Sequence, residues 1–167
     1  MSTLQLSTKT LTLVSLTREE TLAMVDAMRP EDRAQVSPDW LAALRASESI
    51  DPWRHGFSMV HRETGCNVGS CGFKGPPADG FVEIAYGIEP EHRCKGYATE
   101  AAEALTSFAF AQNVPLVRAH TFHEANASTR VLTKCGFLRI GEVIDPEDGL
   151  VWRWERHREQ QHERHSS

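Results

Sequence analysis

The residues best suited to chemistry lie at 93–98, where Arg-Cys-Lys-Gly-Tyr-Ala follows an apolar run and precedes a long helical pattern. Gly96 can adopt a positive φ, so consecutive backbone amides can curl into a concave nest that binds anions. The helix behind it adds about half a positive charge at its amino end. With Arg93 and Lys95 beside it, this segment predicts a diphosphate site. The alternative is a strand-to-helix turn whose basic side chains are simply solvated.

Glu83 is the second candidate, because it interrupts an otherwise apolar stretch at 81–88. A carboxylate on a central strand costs free energy unless it has a catalytic role or a partner that pairs with its charge. Burial would raise its pKa toward the range useful for a general base. The alternative is a structural ion pair with an Arg or Lys of a neighbouring strand. Four histidines are further candidates for the base, although a lone strand histidine is more often structural: His55, His61, His120 and His123.

The elements that must position these residues follow from periodicity and capping signals. Alternating or β-branched runs predict seven strands, at 10–16, 57–61, 68–73, 81–88, 116–122, 137–143 and 150–154. A capping box at Thr17–Glu20 begins one helix, which Pro30 is expected to end. Three more helices are expected from residue 37, over 99–112 and over 128–135. Local strand pairs followed by alternating strands and helices indicate a mixed sheet covered by helices.

Two segments carry a family resemblance. Residues 93–98 match the pattern Arg/Gln-x-x-Gly-x-Gly/Ala, and the sequence has neither GxGxxG nor GxxxxGKS/T. A second match runs from Asn126 to Leu132 and on to Cys135-Gly136-Phe137. In this order and separation they resemble the acetyl-CoA pyrophosphate motif and the C-terminal helix-and-strand motif of the GNAT N-acetyltransferase superfamily, in its RimJ/RimL-like branch. The likeness is close over residues 81–154.

The resemblance implies an α/β (α+β) fold of the GNAT acyl-CoA N-acyltransferase type. This fold has a mixed, mostly antiparallel central sheet of about seven strands, flanked by four helices, with splayed central strands. A single domain is expected over residues 1–156, followed by a polar, disordered tail at 157–167. The implied reaction is acetyl transfer from acetyl-CoA to a primary amine, by direct attack in a ternary complex and without a metal. A non-catalytic acyl-CoA-binding module of the same fold is the alternative.

Site residues are carried over by position. The amides from Cys94 to Thr99 are expected to hold the pyrophosphate, and Ile88 lies where pantetheine pairs with an exposed strand. Asn126 and Ser128 are expected at the pantetheine arm or thioester, although Asn126 also suits a helix N-cap. The implied cofactor-binding set is Ile88, Arg93, Cys94, Lys95, Gly96, Tyr97, Ala98, Thr99, Asn126 and Ser128.

The implied catalytic residues are Glu83 as base and Ser128 as general acid. In many GNAT enzymes a tyrosine is the acid, but none occurs at 122–137 in this chain, where Ser128 is the available substitute. A CoA thiolate needs little help to leave, since thiol pKa values lie near 8.5. The chain also departs from the commonest loop of the branch by having Cys94 where glycine is usual.

Net charge and composition limit the classes of partner that the chain can be expected to bind. The net charge of −5, from 18 basic and 23 acidic residues, lacks the dense positive charge that nucleic-acid binding requires; it weakly favours a cationic acceptor by steering. No apolar run reaches the roughly 18–20 residues of a membrane span, and the start does not resemble a signal peptide. We therefore expect a cytoplasmic monomer or homodimer with reduced cysteines, acting on a small-molecule amine or a protein N-terminus.

Overall fold

The computed structural model describes residues 4–34, 36–46, 52–53, 55–122, 127–145 and 149–158. Its strands are β1 (Gln5–Ser7), β2 (Leu11–Ser15), β3 (Phe57–His61), β4 (Asn67–Phe73), β5 (Phe81–Ile88), β6 (Leu116–Phe122), β7 (Leu138–Asp145) and β8 (Gly149–His157). Its α-helices are α1 (Arg18–Ala27), α2 (Pro30–Arg33), α3 (Pro38–Ala46), α4 (Tyr97–Ala111) and α5 (Ala127–Lys134), and a 3₁₀ turn spans Pro90–His92.

The strands form one sheet in the order β1-β2-β3-β4-β5-β6-β8-β7. Neighbouring strands are antiparallel except β5 and β6, which run parallel. These two pair only at residues 81–83, opposite residues 116–118. Further along, β5 has no strand partner on the β6 side within the described ranges. The mostly antiparallel sheet and its splayed central strands are therefore confirmed, and the splay leaves the end of β5 exposed at Ile88.

Helix α4 covers one face of this sheet. Ala101, Ala102, Leu105 and Ala109 are fully buried and recur at helical spacing. Small alanine side chains let the helix approach β5 closely, which places the amino end of α4 beside the end of that strand. On the opposite face, α1 lies over β3, β4 and β5, where the two sides enclose a cavity.

The structure differs from the sequence prediction in its smallest elements. The described residues contain eight strands instead of about seven, because β1 is only three residues long, which is too short for its alternation to indicate a strand. They contain five α-helices instead of four, because Pro30 begins the single turn α2; proline needs no N–H at the first turn of a helix. His157, assigned to the tail, is the last residue of β8 and pairs with Leu116.

None of the helices in the described ranges has both the length and the apolar character that crossing a membrane requires.

Candidate active site

The loop between β5 and α4 has the backbone geometry of an anion cradle. Cys94 and Gly96 both lie in the left-handed region, with φ of 65° and 85°. Gly96 is the N-cap of α4, and no side chain caps the helix there. Within the described part of the chain, the amides from Cys94 to Thr99 have no backbone acceptor. They are therefore available to an anion at the positive end of the α4 dipole.

A hydrogen-bonded contact holds this amino end of α4 in place. The Glu100 carboxylate accepts from the backbone amide of Thr10 at 2.9 Å and from the Thr8 hydroxyl. Both partners belong to the turn between β1 and β2. The first turn of α4 is therefore tied to the far side of the sheet, which fixes the direction in which its free amides point.

A cavity of about 580 Å³ lies in front of this loop, between β5 and α5, and is called here the cofactor-side cavity. Most of the predicted cofactor-binding residues line it: Ile88, Arg93, Cys94, Gly96, Tyr97, Ala98, Thr99 and Ser128. Lys95 is the described member of the set that does not, and Asn126 lies outside the described residues. The fold thus brings β5, the loop and α5 together around one space.

Positive charge is concentrated in this cavity. Arg93, Arg130 and Lys134 line it, and no Asp or Glu does so in the part of the chain that is described. Arg93 also donates from Nε to the carbonyl of Ile88 at 3.2 Å, so it braces the open end of β5. Sequence reasoning missed Arg130 and Lys134, although their i, i+4 spacing places them on one face of α5. Free amides and three cations fit a diphosphate chemically.

Tyr86 is a third residue that sequence reasoning missed. It lies on β5, and its hydroxyl is hydrogen-bonded to the Ser128 side chain of α5. Burial raises the pKa of Tyr86 to about 12, more than the Ser128 hydrogen bond lowers it. The phenol therefore keeps its proton at neutral pH, although the raised pKa makes it a weaker acid than an ordinary tyrosine. The available sequence signal was its alternation with Ile84 and Ile88, which places all three on one face of β5.

Glu83 takes part in a chain of polar contacts on the other face of β5. Its Oε2 accepts from His120 Nδ1 at 2.9 Å and pairs with Lys74 Nζ at 3.0 Å. Arg153 Nε donates to His120 Nε2 at 3.1 Å. Since arginine can only donate, the His120 proton is placed on Nδ1, facing the carboxylate. Among the described residues, Glu83 Oε1 has no partner and remains available to accept a proton.

The expected pKa of Glu83 is wrong in direction. Burial does raise it, but the His120 hydrogen bond and the Lys74 ammonium together outweigh burial, so the pKa lies below the usual value of 4.5. The ion pair with Lys74 is the structural alternative that the sequence left open. A partner and a free oxygen are both present, so the two interpretations coexist at this side chain.

A second cavity of about 310 Å³, called here the acceptor-side cavity, lies on the face of the sheet covered by α1. Tyr86 and Gly87 line both cavities and form the wall that separates them. Ala85, also on this wall, is two residues from Glu83 on the same face of β5. The arrangement is suited to two substrates that meet at β5 from opposite sides.

The four cysteines Cys66, Cys71, Cys94 and Cys135 are free thiols. Cys71 and Cys135 are buried, and burial raises the pKa of Cys71 to about 12 and that of Cys135 to about 11. In the ranges described here, no three His, Cys, Asp or Glu side chains gather into a set that could hold a metal ion.

Comparison with known proteins bears on this arrangement. A family model described as "Acetyltransferase (GNAT) domain" matches residues 10–138, more than half of the chain. The "Uncharacterized N-acetyltransferase YjdG" of Bacillus subtilis is 37% identical over 100 residues, and this match covers 59% of the chain but only 57% of that protein.

Two solved structures show the same fold. The ribosomal-protein-S5-alanine acetyltransferase from Vibrio fischeri has a TM-score of 0.70 at 12% identity, covering 94% of this chain and 98% of that one. The spermidine/spermine N-acetyltransferase SpeG from Vibrio cholerae, solved with manganese ions, has a TM-score of 0.68 at 20% identity, covering 93% and 96%. At these identities the likeness concerns the fold.

Proposed function

Since the chain belongs to the GNAT acetyltransferase family, as its motifs predicted, we propose that it transfers an acetyl group from acetyl-CoA to a primary amine. The observation that carries the proposal is the β5–α4 loop, whose amides are uncapped in front of a cavity lined by three cations. The amides of residues 94–99 hold the diphosphate in this account, with Arg93 beside them. The exposed end of β5 at Ile88 receives the pantetheine arm.

The two cavities divide the work of the reaction. The thioester lies at the wall formed by Tyr86 and Gly87, and the amine reaches it from the acceptor-side cavity. Holding both at one junction supplies most of the acceleration, because the attack becomes effectively unimolecular. Residues 1–157 constitute one catalytic domain in this proposal.

The chain then has to move two protons. The amine nitrogen forms a bond to the carbonyl carbon and gives up a proton, which Glu83 Oε1 accepts directly or through water. The carbon–sulfur bond breaks and its electron pair goes to sulfur. Tyr86, hydrogen-bonded to Ser128, donates a proton to that sulfur, and it recovers one through the Ser128 hydroxyl. Tyr86 thus takes the role of acid that the sequence prediction gave to Ser128 alone.

One observation favours the alternative of a non-catalytic acyl-CoA-binding module. The lowered pKa of Glu83 makes its carboxylate a weaker base than the raised value expected from burial. A module that only binds acyl-CoA would need the cofactor-side cavity and no base.

Release of free CoA thiol with a panel of primary amines separates the two functions. The proposal expects amine-dependent release by the wild type and a loss of about 100-fold in kcat for Glu83→Gln. Lys74→Gln is the matched variant: removing the ammonium raises the pKa of Glu83, so the acid limb of the rate profile moves to higher pH. Tight acetyl-CoA binding without acetylation of any amine would establish the binding module instead.

A further inference from the structure

The lining of the acceptor-side cavity carries information about the amine. Its lining includes the apolar side chains of Leu16, Val25 and Met28, the polar side chains of Thr21, His55 and Ser70, and the small residues Gly72, Ala85 and Gly87 of the sheet. Within the described residues, no Asp, Glu, Lys or Arg lines it. Glu83, two residues from Ala85 on β5, is paired with Lys74 at 3.0 Å.

Most of these apolar side chains are already buried, and one is not. Val25 exposes 3% and Leu16 exposes 8% of its surface, whereas Met28 exposes 38%. Met28 directly follows α1, so it lies where that helix ends at the cavity. An apolar guest would cover this flexible side chain and bring its surface out of water.

A charged guest would have the opposite effect. A second ammonium in this cavity would lose its hydration without a carboxylate to replace it, and a carboxylate would lose its hydration without a cation. The whole-chain charge of −5 attracts cations at long range, but the local lining decides which body can be buried. The weak expectation of a cationic acceptor therefore does not extend to the part of the molecule that enters the cavity.

We propose that the acceptor is a primary monoamine whose body is apolar and uncharged, such as an alkyl or arylalkyl amine. This inference rests on the proposed acetyl transfer and names the substrate class for it. The amino group lies at the Tyr86–Gly87 wall, and the apolar body lies between α1 and strands β3 and β4. A cavity of about 310 Å³ holds a body of this kind.

Hexylamine and 1,6-diaminohexane form the matched pair that tests the proposal, because they have the same length and differ only in a second amino group. At saturating acetyl-CoA, kcat/KM for hexylamine should exceed that for the diamine by about tenfold or more. Equal values, or a preference for the diamine, would overturn the proposal. Faster acetylation of a short peptide N-terminus than of hexylamine would overturn it as well, in favour of a protein acceptor.

Two variants at one position sharpen the test. Met28→Glu places a carboxylate at the cavity, and because Met28 is exposed the substitution leaves the packed core unchanged. This variant should shift the preference toward the diamine by about fivefold or more, whereas Met28→Gln, of the same shape, should not. The same preference in both variants would show that the acceptor does not lie against Met28.

Binding measurements separate this inference from the proposed function. Hexylamine and the diamine are titrated calorimetrically into the CoA-loaded protein. Preferential binding of hexylamine without acetylation of any amine would remove the transferase proposal and leave the cavity assignment standing. Acetylation with a preference for the diamine would support the transferase proposal and overturn the assignment of the acceptor-side cavity.

Discussion

The cofactor-side and acceptor-side cavities share a wall at Tyr86 and Gly87, yet they are built in opposite ways. The first is lined by three cations and by the free amides of one loop, all suited to an anion of fixed geometry. The second is lined by apolar side chains of α1 together with small and polar residues of the sheet, and no Asp, Glu, Lys or Arg lines it among the described residues. In the proposed function, recognition of the diphosphate is thus local and electrostatic, whereas recognition of the acceptor depends on tertiary packing.

Removing the hydroxyl at the shared wall should have the largest effect. Tyr86→Phe keeps the ring that separates the cavities but loses the proton donor, so kcat should fall about 100-fold. The Kd for CoA, measured by calorimetry, should change by less than about threefold, because the diphosphate contacts are untouched. A kcat within threefold of the wild type would show that Tyr86 only partitions the cavities.

Next in size is Gly96→Val, which acts on the cofactor side alone. With φ at 85°, a β-branched residue forces the loop to rearrange, and the Kd for CoA should rise by roughly tenfold or more. Binding of an apolar amine to the other cavity should persist. An unchanged Kd for CoA would mean that the diphosphate binds elsewhere.

Smaller effects should distinguish the cations of the cofactor side. Lys134→Ala should weaken CoA binding by about twofold to fivefold and flatten its dependence on salt concentration. Lys95→Ala should weaken it less, because Lys95 does not line the cavity. If Lys95→Ala has the larger effect, Lys95, as the sequence predicted, contacts the diphosphate, and Lys134 of the cavity lining does not.

Cys94→Gly should raise the free energy of unfolding by about 1 kcal/mol. Cys94 has a φ of 65°, a conformation that glycine adopts without strain, so the Tm should rise by about 2–4 °C. Cys94→Ala, which removes only the thiol, should not raise it. If both variants behave alike, the strain does not lie in the backbone at this residue.

The smallest change should be in the free energy of unfolding of Glu83→Gln, because glutamine keeps an oxygen that can accept from His120 and the other partner, Lys74, is half exposed. The folded pKa of Glu83 lies below its usual value, so the carboxylate contributes stability above that value and loses it as the pH falls through the folded pKa. The Tm difference from the wild type should therefore be largest near neutral pH and shrink below 4.5. A difference independent of pH would contradict the assigned cause.

The sequence predicted what lies close together along the chain. The capping box at Thr17 and Glu20 forms as expected, with both hydrogen bonds present. The turn at Gly96 and the junction between β5 and α4 could also be predicted. The glycine that permits a positive φ and the basic residues Arg93 and Lys95 lie within a few positions of one another in the sequence. These features depend on local sequence, and they carry most of the cofactor side.

What could not be predicted depends on contacts between distant segments. The role of Tyr86 requires α5 to bring Ser128 against β5, and the pKa of Glu83 depends on Lys74 and His120 from two other strands. The described lining of the acceptor side comes from segments between residues 16 and 87. No spacing within any one of these segments indicates the cavity they form together.

A crystal structure with bound CoA tests the central claim most directly. The account predicts diphosphate oxygens within about 2.7–3.2 Å of backbone nitrogens between Cys94 and Thr99, with the pantetheine arm along the end of β5. Finding those N–H groups directed at solvent or at the protein's own side chains, with the diphosphate bound in another place, would contradict it.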